Sequence, residues 1–117
     1  MRQQRKSVRF AVRLPVTYRV LEQTRQAMTQ DLGPGGLSLE GGDPLLAGTS
    51  IQGELQLPNR ERPVSFTAKV IACERVESAN RLGRAHSFQA RVTFVQLDPD
   101  EAEAIGYFIA SVLNPQR

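Results

Sequence analysis

At 117 residues, 40% hydrophobic and 23% charged, the chain has material for one core and too little for a typical two-domain enzyme, and its balance fits neither wholesale disorder nor a membrane protein. The net charge of +3 conceals an asymmetry: residues 1–25 hold seven arginines and lysines against Glu22 alone, a net +6, while the other 92 residues sum to −3. An anionic partner for the N-terminal part is one implication, and a solvated basic tail is the alternative.

Residues 1–13 lack an apolar period, so a flexible basic arm is expected there, followed by a single domain over 14–117. The opening Met1-Arg2-Gln3-Gln4-Arg5-Lys6 precedes no apolar h-region, which predicts a cytoplasmic protein, and no stretch approaches the roughly 18 apolar residues that would insert in a membrane. Within the arm, Arg5 and Arg9 stand four residues apart, and their fork-shaped donors suit a phosphate-bearing ligand.

Leu14, Val16, Tyr18 and Val20 alternate with polar residues and predict a first strand, with Pro15 at its start. Glu22-Gln23 reads as the turn into a second strand, from about Thr24 to Gln30. Asp31-Leu32-Gly33-Pro34-Gly35-Gly36 then packs three glycines and a proline into six residues, a tight corner leading to a third strand at Leu37–Glu40. Glycine there offers positive φ or close approach of another backbone or a ligand, and a plain turn is the simpler alternative.

Gly41-Gly42-Asp43-Pro44 breaks the pattern again, and a loop packed by Leu45 and Leu46 follows. Ile51, Gly53, Leu55 and Leu57 predict a fourth strand. A long central strand from Pro63 to Val76 turns Val64, Phe66, Ala68, Val70 and Ala72 to one face, with Ile71 and Cys73 on the other. A polar loop over 77–87 separates it from a last strand with Phe88, Ala90, Val92 and Phe94 inward.

Asp98-Pro99-Asp100-Glu101 reads as a helix start, with an N-cap aspartate, proline at the first position and a glutamate three residues after the cap. The helix is predicted over 98–114, with Ala102, Ile105, Phe108, Ile109, Val112 and Leu113 as its buried stripe and Asn114-Pro115 as its stop. The expected fold is all-β with a C-terminal helix: an antiparallel barrel of about six strands, one opening covered by the helix.

No catalytic constellation is present. His86 is the lone histidine and Cys73 the lone cysteine, too few for a zinc site, and Cys73 reads as a buried inert thiol. Asp98, Asp100 and Glu101 are accounted for by capping. Neither an enzyme, a metal nor a resident cofactor is therefore expected.

Two motifs taken together resemble the PilZ domain, a bacterial receptor module for cyclic di-GMP. Its R-x-x-x-R is matched by Arg5 and Arg9, and its D/N-x-S-x-x-G by Asp31 and Gly36, with Gly33 where the family has serine. Leu14-Pro15-Val16 after the arginines and Val92-Thr93-Phe94 before the helix extend the likeness over nearly the whole chain. The resemblance implies a cyclic di-GMP site at Arg5, Arg9, Asp31, Gly33 and Gly36, with the arginines clamping the ligand and ordering the arm. It also implies a downstream protein partner that no motif identifies. Asp31 would accept from the guanine N1 and N2 donors, and the bare backbone at Gly33 and Gly36 would let the base approach. The missing serine hydroxyl costs about 0.5–1.5 kcal/mol, which weakens such a site without abolishing it. The alternative is a degenerate protein-interaction module that no longer binds nucleotide. Nucleic-acid binding is disfavoured, since aromatic residues are only 6% of the chain and none beyond Phe10 interleaves with the arginines.

Overall fold

The alternation of apolar and polar residues resolves, in a computed structural model that describes residues 9–80 and 83–113, into seven strands and one helix. They are β1 (Phe10–Ala11), β2 (Pro15–Val20), β3 (Gln23–Leu32), β4 (Gly36–Gly41), β5 (Ser50–Leu55), β6 (Val64–Asn80), β7 (Gly83–Gln96) and α1 (Pro99–Leu113). The strands β3, β2, β5, β6, β7 and β4 bond in that order and β4 returns to β3, closing a six-stranded antiparallel barrel. Closure removes the unpaired edges that an open sheet of this size would expose. The seventh strand, β1, adds to β3 through Phe10↔Leu32 and Ala11↔Asp31.

Every second residue of the barrel strands points inward, and Val16, Leu37, Leu39, Ile51, Leu55, Val64, Val70 and Val92 are almost wholly removed from water. Two glycines permit this packing. A Cβ on Gly53 would lie 2.9 Å from Cε1 of the Phe66 ring, which fills the barrel interior edge-on to Phe94. A Cβ on Gly36 would run into the Val92 carbonyl oxygen and come 3.0 Å from the Thr93 Cα, so β4 can approach β7 this closely only without a side chain.

Helix α1 begins as predicted, with Pro99 in its first position and the Ala102 N–H donating to the Asp98 carbonyl at 2.9 Å. The expected capping box is not how Glu101 is used. Its carboxylate instead receives Arg60 Nη1 at 2.9 Å, tying the helix start to the loop after β5. The middle of the stripe, Ile105, Phe108 and Ile109, is buried over the barrel, and Phe108 also meets Phe10 of β1 with ring centroids 6.1 Å apart. Val112 and Leu113, predicted as part of the stripe, are 44% and 52% exposed, because α1 has by then run past the core. The predicted stop at Asn114-Pro115 lies outside the described residues.

Four other expectations are corrected. The loop predicted over 77–87 is instead paired strand: β6 and β7 continue as a ribbon from Glu74↔Gln89 to Asn80↔Gly83. Its sequence carries no alternation of apolar and polar residues that would mark a strand. A bulge in the β6–β7 pairing between Val70 and Ala72 shifts the pleat, so Ala72 faces out and Cys73 packs partly against the core. In the β4–β5 loop only Leu45 is buried, while Leu46 is 80% exposed. The turn between β2 and β3 is Leu21–Glu22, with Leu21 left-handed at φ 57°.

Candidate functional site

The arm meets the barrel at one buried polar residue. Thr29 alternates with Ala27 on β3, yet its hydroxyl donates to the Val12 carbonyl at 2.5 Å and accepts the Leu14 N–H at 2.9 Å. A second backbone bond, Thr29 N–H to Leu14 O at 2.9 Å, completes the clasp. Thr29 is fully buried, so these bonds replace water that it has lost. They fix where the chain leaves β1, and therefore where the arginines on either side fall.

Arg9 Nη1 reaches the Asp31 carboxylate at 2.5 Å and the Ser38 hydroxyl at 3.4 Å. Arg13 Nη1 donates to Glu40 Oε1 at 3.0 Å, where Gln30 Nε2 also donates at 3.2 Å, and Ser87 Oγ donates to Glu40 Oε2 at 3.0 Å. These contacts, led by Arg13 and then Ser87, hold the Glu40 carboxyl below its ordinary pKa against a smaller opposing effect of burial. Arg9 and Arg13 repeat the four-residue spacing of Arg5 and Arg9, and they bind successive levels of the same wall. Arg5 lies outside the described residues.

The wall is ordered by strand register. Ala11, Asp31, Ser38, Arg91 and Ala72 are consecutive partners across β1, β3, β4, β7 and β6. Directly opposed residues project to the same side of a sheet, so these five form one row on the outer face. Beside the row lies a cavity of about 440 Å³ lined by Ser38, Ala72, Cys73, Glu74, Gln89, Ala90 and Arg91. A larger concavity of about 540 Å³ on the opposite flank is bordered by Thr17, Arg19, Gln52, Glu54 and Thr67. Among the described residues none of the arm or of the glycine corner lines it, whereas Ser38 of the smaller cavity accepts from Arg9, so the smaller one is the candidate site.

The corner itself is a two-residue loop, Pro34-Gly35, closed by the Gly33 N–H donating to Gly36 O at 2.9 Å. The Gly35 carbonyl accepts the Phe94 N–H at 2.9 Å and the Thr93 hydroxyl at 3.2 Å, which pins the loop to β7. Positive φ is not what the corner glycines supply, since Gly48 at 92° is the left-handed glycine among the described residues. Gly33 and Gly36 are both buried, and Gly36 serves the β4–β7 contact.

Of the predicted site residues, the structure brings Arg9 and Asp31 together and sets Gly33 and Gly36 in the loop that follows Asp31. It adds Arg13, Thr29, Ser38, Glu40 and Arg91. Strand alternation marks Ser38 and Arg91 as outward residues between Leu37 and Leu39 and between Ala90 and Val92, but only the register shows that they are neighbours. Among the described residues, no three His, Cys, Asp or Glu side chains cluster so as to hold a metal ion. No helix among them is long and apolar enough to cross a membrane.

The family model described as PilZ domain matches residues 3–111. No curated protein matches the chain. Among solved structures, the PilZ domain of YcgR from Escherichia coli with c-di-GMP is 16% identical at a TM-score of 0.78, over 95% of this chain and 92% of that one. The Bacillus subtilis inhibitor of motility, MotI/DgrA, is 21% identical at 0.74, over 98% of this chain and 54% of its own. The K. pneumonia MrkH–c-di-GMP complex is 14% identical at 0.78, over 95% and 52%. The chain thus spans about half the length of the last two.

Proposed function

This chain belongs to the PilZ domain family, and we propose that it is a cyclic di-GMP receptor whose arm and barrel wall share the ligand. The observation that carries the proposal is the docking of Arg9 on Asp31, the entry residue of the glycine corner. A cation and its acceptor held together at the surface form a site whose two halves both have uses for cyclic di-GMP. Its phosphates take the guanidinium forks of Arg9 and Arg13, with Arg5 joining from further along the arm. Its guanine presents N1–H and N2–H donors to the Asp31 carboxylate. Gly33 keeps the corner clear of side chain. The solved YcgR and MrkH structures with c-di-GMP support this reading through a common fold.

The ligand would exchange partners rather than fill an idle pocket. Each arginine drawn toward phosphate relinquishes a carboxylate on the wall, so binding changes how residues 9–13 sit on β3 and β4. The protein acts by that change, in the cytoplasm, through contact with a downstream protein, and without chemistry of its own. The competing reading, a PilZ domain that no longer binds nucleotide, has Gly33 in its favour.

Calorimetric titration with cyclic di-GMP decides between them. Arg9→Lys keeps the charge but loses the fork, and should bind at least about 10-fold more weakly, since charge-assisted hydrogen bonds are worth about 1.5–3 kcal/mol. Amide exchange over residues 9–13 should change when ligand is added. No heat at millimolar nucleotide from either the wild type or Gly33→Ser would leave the interaction module as the answer.

A further inference from the structure

We propose that Ser38 and Arg91 form a guanine-reading edge beside Asp31, with Ser38 supplying the hydroxyl that Gly33 does not. This rests on the cyclic di-GMP reading above and assigns what that reading leaves open: which residues read the base. Asp31 pairs with Ser38 on β4, and Ser38 pairs with Arg91 on β7. All three lie on the outer face of the barrel, between buried Leu32, Leu37, Leu39, Ala90 and Val92. At about 4.8 Å per strand, the row spans roughly 9.5 Å at the backbone, within which long side chains converge on a planar base.

The order of the chemistry is specific. From β3 to β7 the row offers a carboxylate, a hydroxyl and a guanidinium: an acceptor, then two donors. The guanine edge, followed from the exocyclic amine, offers N2–H and N1–H donors, then the O6 and N7 acceptors. Asp31 faces the first pair, the Ser38 hydroxyl faces O6, and Arg91 faces N7. Arg9 holds Asp31 Oδ1 in the free protein, and once it turns to phosphate both carboxylate oxygens are left for the N1–H and N2–H of the base. Ser38 accepts from Arg9 at 3.4 Å, which leaves its own proton to donate. Arg91 is exposed and has no ion pair among the described residues, and the 440 Å³ cavity that it and Ser38 line gives the ring its place. Adenine lacks the N2 donor and presents an N1 acceptor to Asp31 and an N6 donor to Ser38, so the two contacts that seat the base oppose like with like and Arg91 is not brought onto the N7 that both purines share.

The test titrates wild type, Ser38→Ala, Arg91→Ala and Arg91→Lys with cyclic di-GMP and with cyclic di-AMP, and melts each variant. Both side chains point away from the core, so melting temperatures should stay near wild type. Ser38→Ala should weaken cyclic di-GMP binding about 2- to 13-fold. Arg91→Ala should weaken it about 10-fold or more, and Arg91→Lys should recover little of the loss. Binding of cyclic di-AMP should hardly change, so the preference for guanine shrinks. Adding Gly33→Ser to Ser38→Ala should restore part of the affinity. Wild-type binding with unaltered affinity in the Ser38 and Arg91 variants overturns this inference and leaves the receptor standing. Equal losses for the two nucleotides also overturn it, since Arg91 would then act as a general charge. No binding by the wild type removes both.

Discussion

Replacing Gly36 by alanine puts a methyl group where the Val92 carbonyl oxygen already lies, with the Thr93 Cα 3.0 Å away. Both obstacles are backbone, so no side chain can swing aside. Restoring an ordinary C···O separation of about 3.3–3.6 Å requires β4 and β7 to part by roughly 1 Å. That movement stretches the 2.9 Å bond from Phe94 N–H to Gly35 O and the 3.2 Å bond from Thr93 to the same carbonyl beyond useful length. Two hydrogen bonds at about 0.5–1.5 kcal/mol each, with about 1–3 kcal/mol for overpacking, give a loss of roughly 2–6 kcal/mol. A domain of this size is stable by only about 5–15 kcal/mol, and its melting temperature should fall by about 10–20 °C. The assay is urea and thermal unfolding beside two controls. At Gly42 and Gly106 an added Cβ meets nothing within 4 Å. Gly42→Ala should be near neutral, and Gly106→Ala, in the middle of α1, should stabilise by about 0.5–1 kcal/mol. A Gly36→Ala protein within about 0.5 kcal/mol of wild type would refute the idea that strand contact dictates this glycine, and would return it to the ligand.

Thr29→Val keeps shape but leaves the Leu14 N–H without its partner, and should cost about 1–3 kcal/mol in urea unfolding; an unchanged midpoint would mean that the clasp is not structural. Ile105→Asp buries a carboxylate at a position with no exposure and should abolish cooperative melting, which a retained sharp transition would contradict. Glu40 has a folded-state pKa below its ordinary 4.5, so the unfolded chain takes up the proton first. Its stabilising contribution is complete above pH 4.5 and is lost as pH falls through the folded value. The gap in melting temperature between wild type and Glu40→Gln should therefore narrow on acidification below pH 4.5, and narrow at all pH values in an Arg13→Ala background.

The barrel was legible because one face of each strand has to be apolar: Leu14 to Val20, Ile51 to Leu57 and Val64 to Val70 declare their inward set by period two alone. The ribbon beyond Glu74 was not, because its residues do not alternate between apolar and polar. The site was half legible. Asp31 and the glycines announce themselves by clustering in sequence, and Arg9 by its spacing. Ser38, Glu40 and Arg91 are ordinary outward residues in their own strands, and become a site only when register places β4 between β3 and β7. Thr29 gives no signal of its own in the sequence, because a buried threonine in a strand looks like any β-branched filler until its hydroxyl partners are known.

The β6–β7 ribbon also has a mechanical meaning. β5 stops pairing with β6 at Lys69 and β4 reaches as far as Phe88 of β7, so from Val76 to Asn80 the two strands pair, among the described residues, with each other alone. Five residues at about 3.3 Å each make a beam of roughly 17 Å clamped at one end. A rotation of about 10° at its root would sweep the tip through about 3 Å, at a cost confined to the few bonds at the clamp. Ser87 grips Glu40 at that root, the same carboxylate that Arg13 holds from the arm. A change in how Arg13 grips Glu40 therefore acts at the root of a long lever.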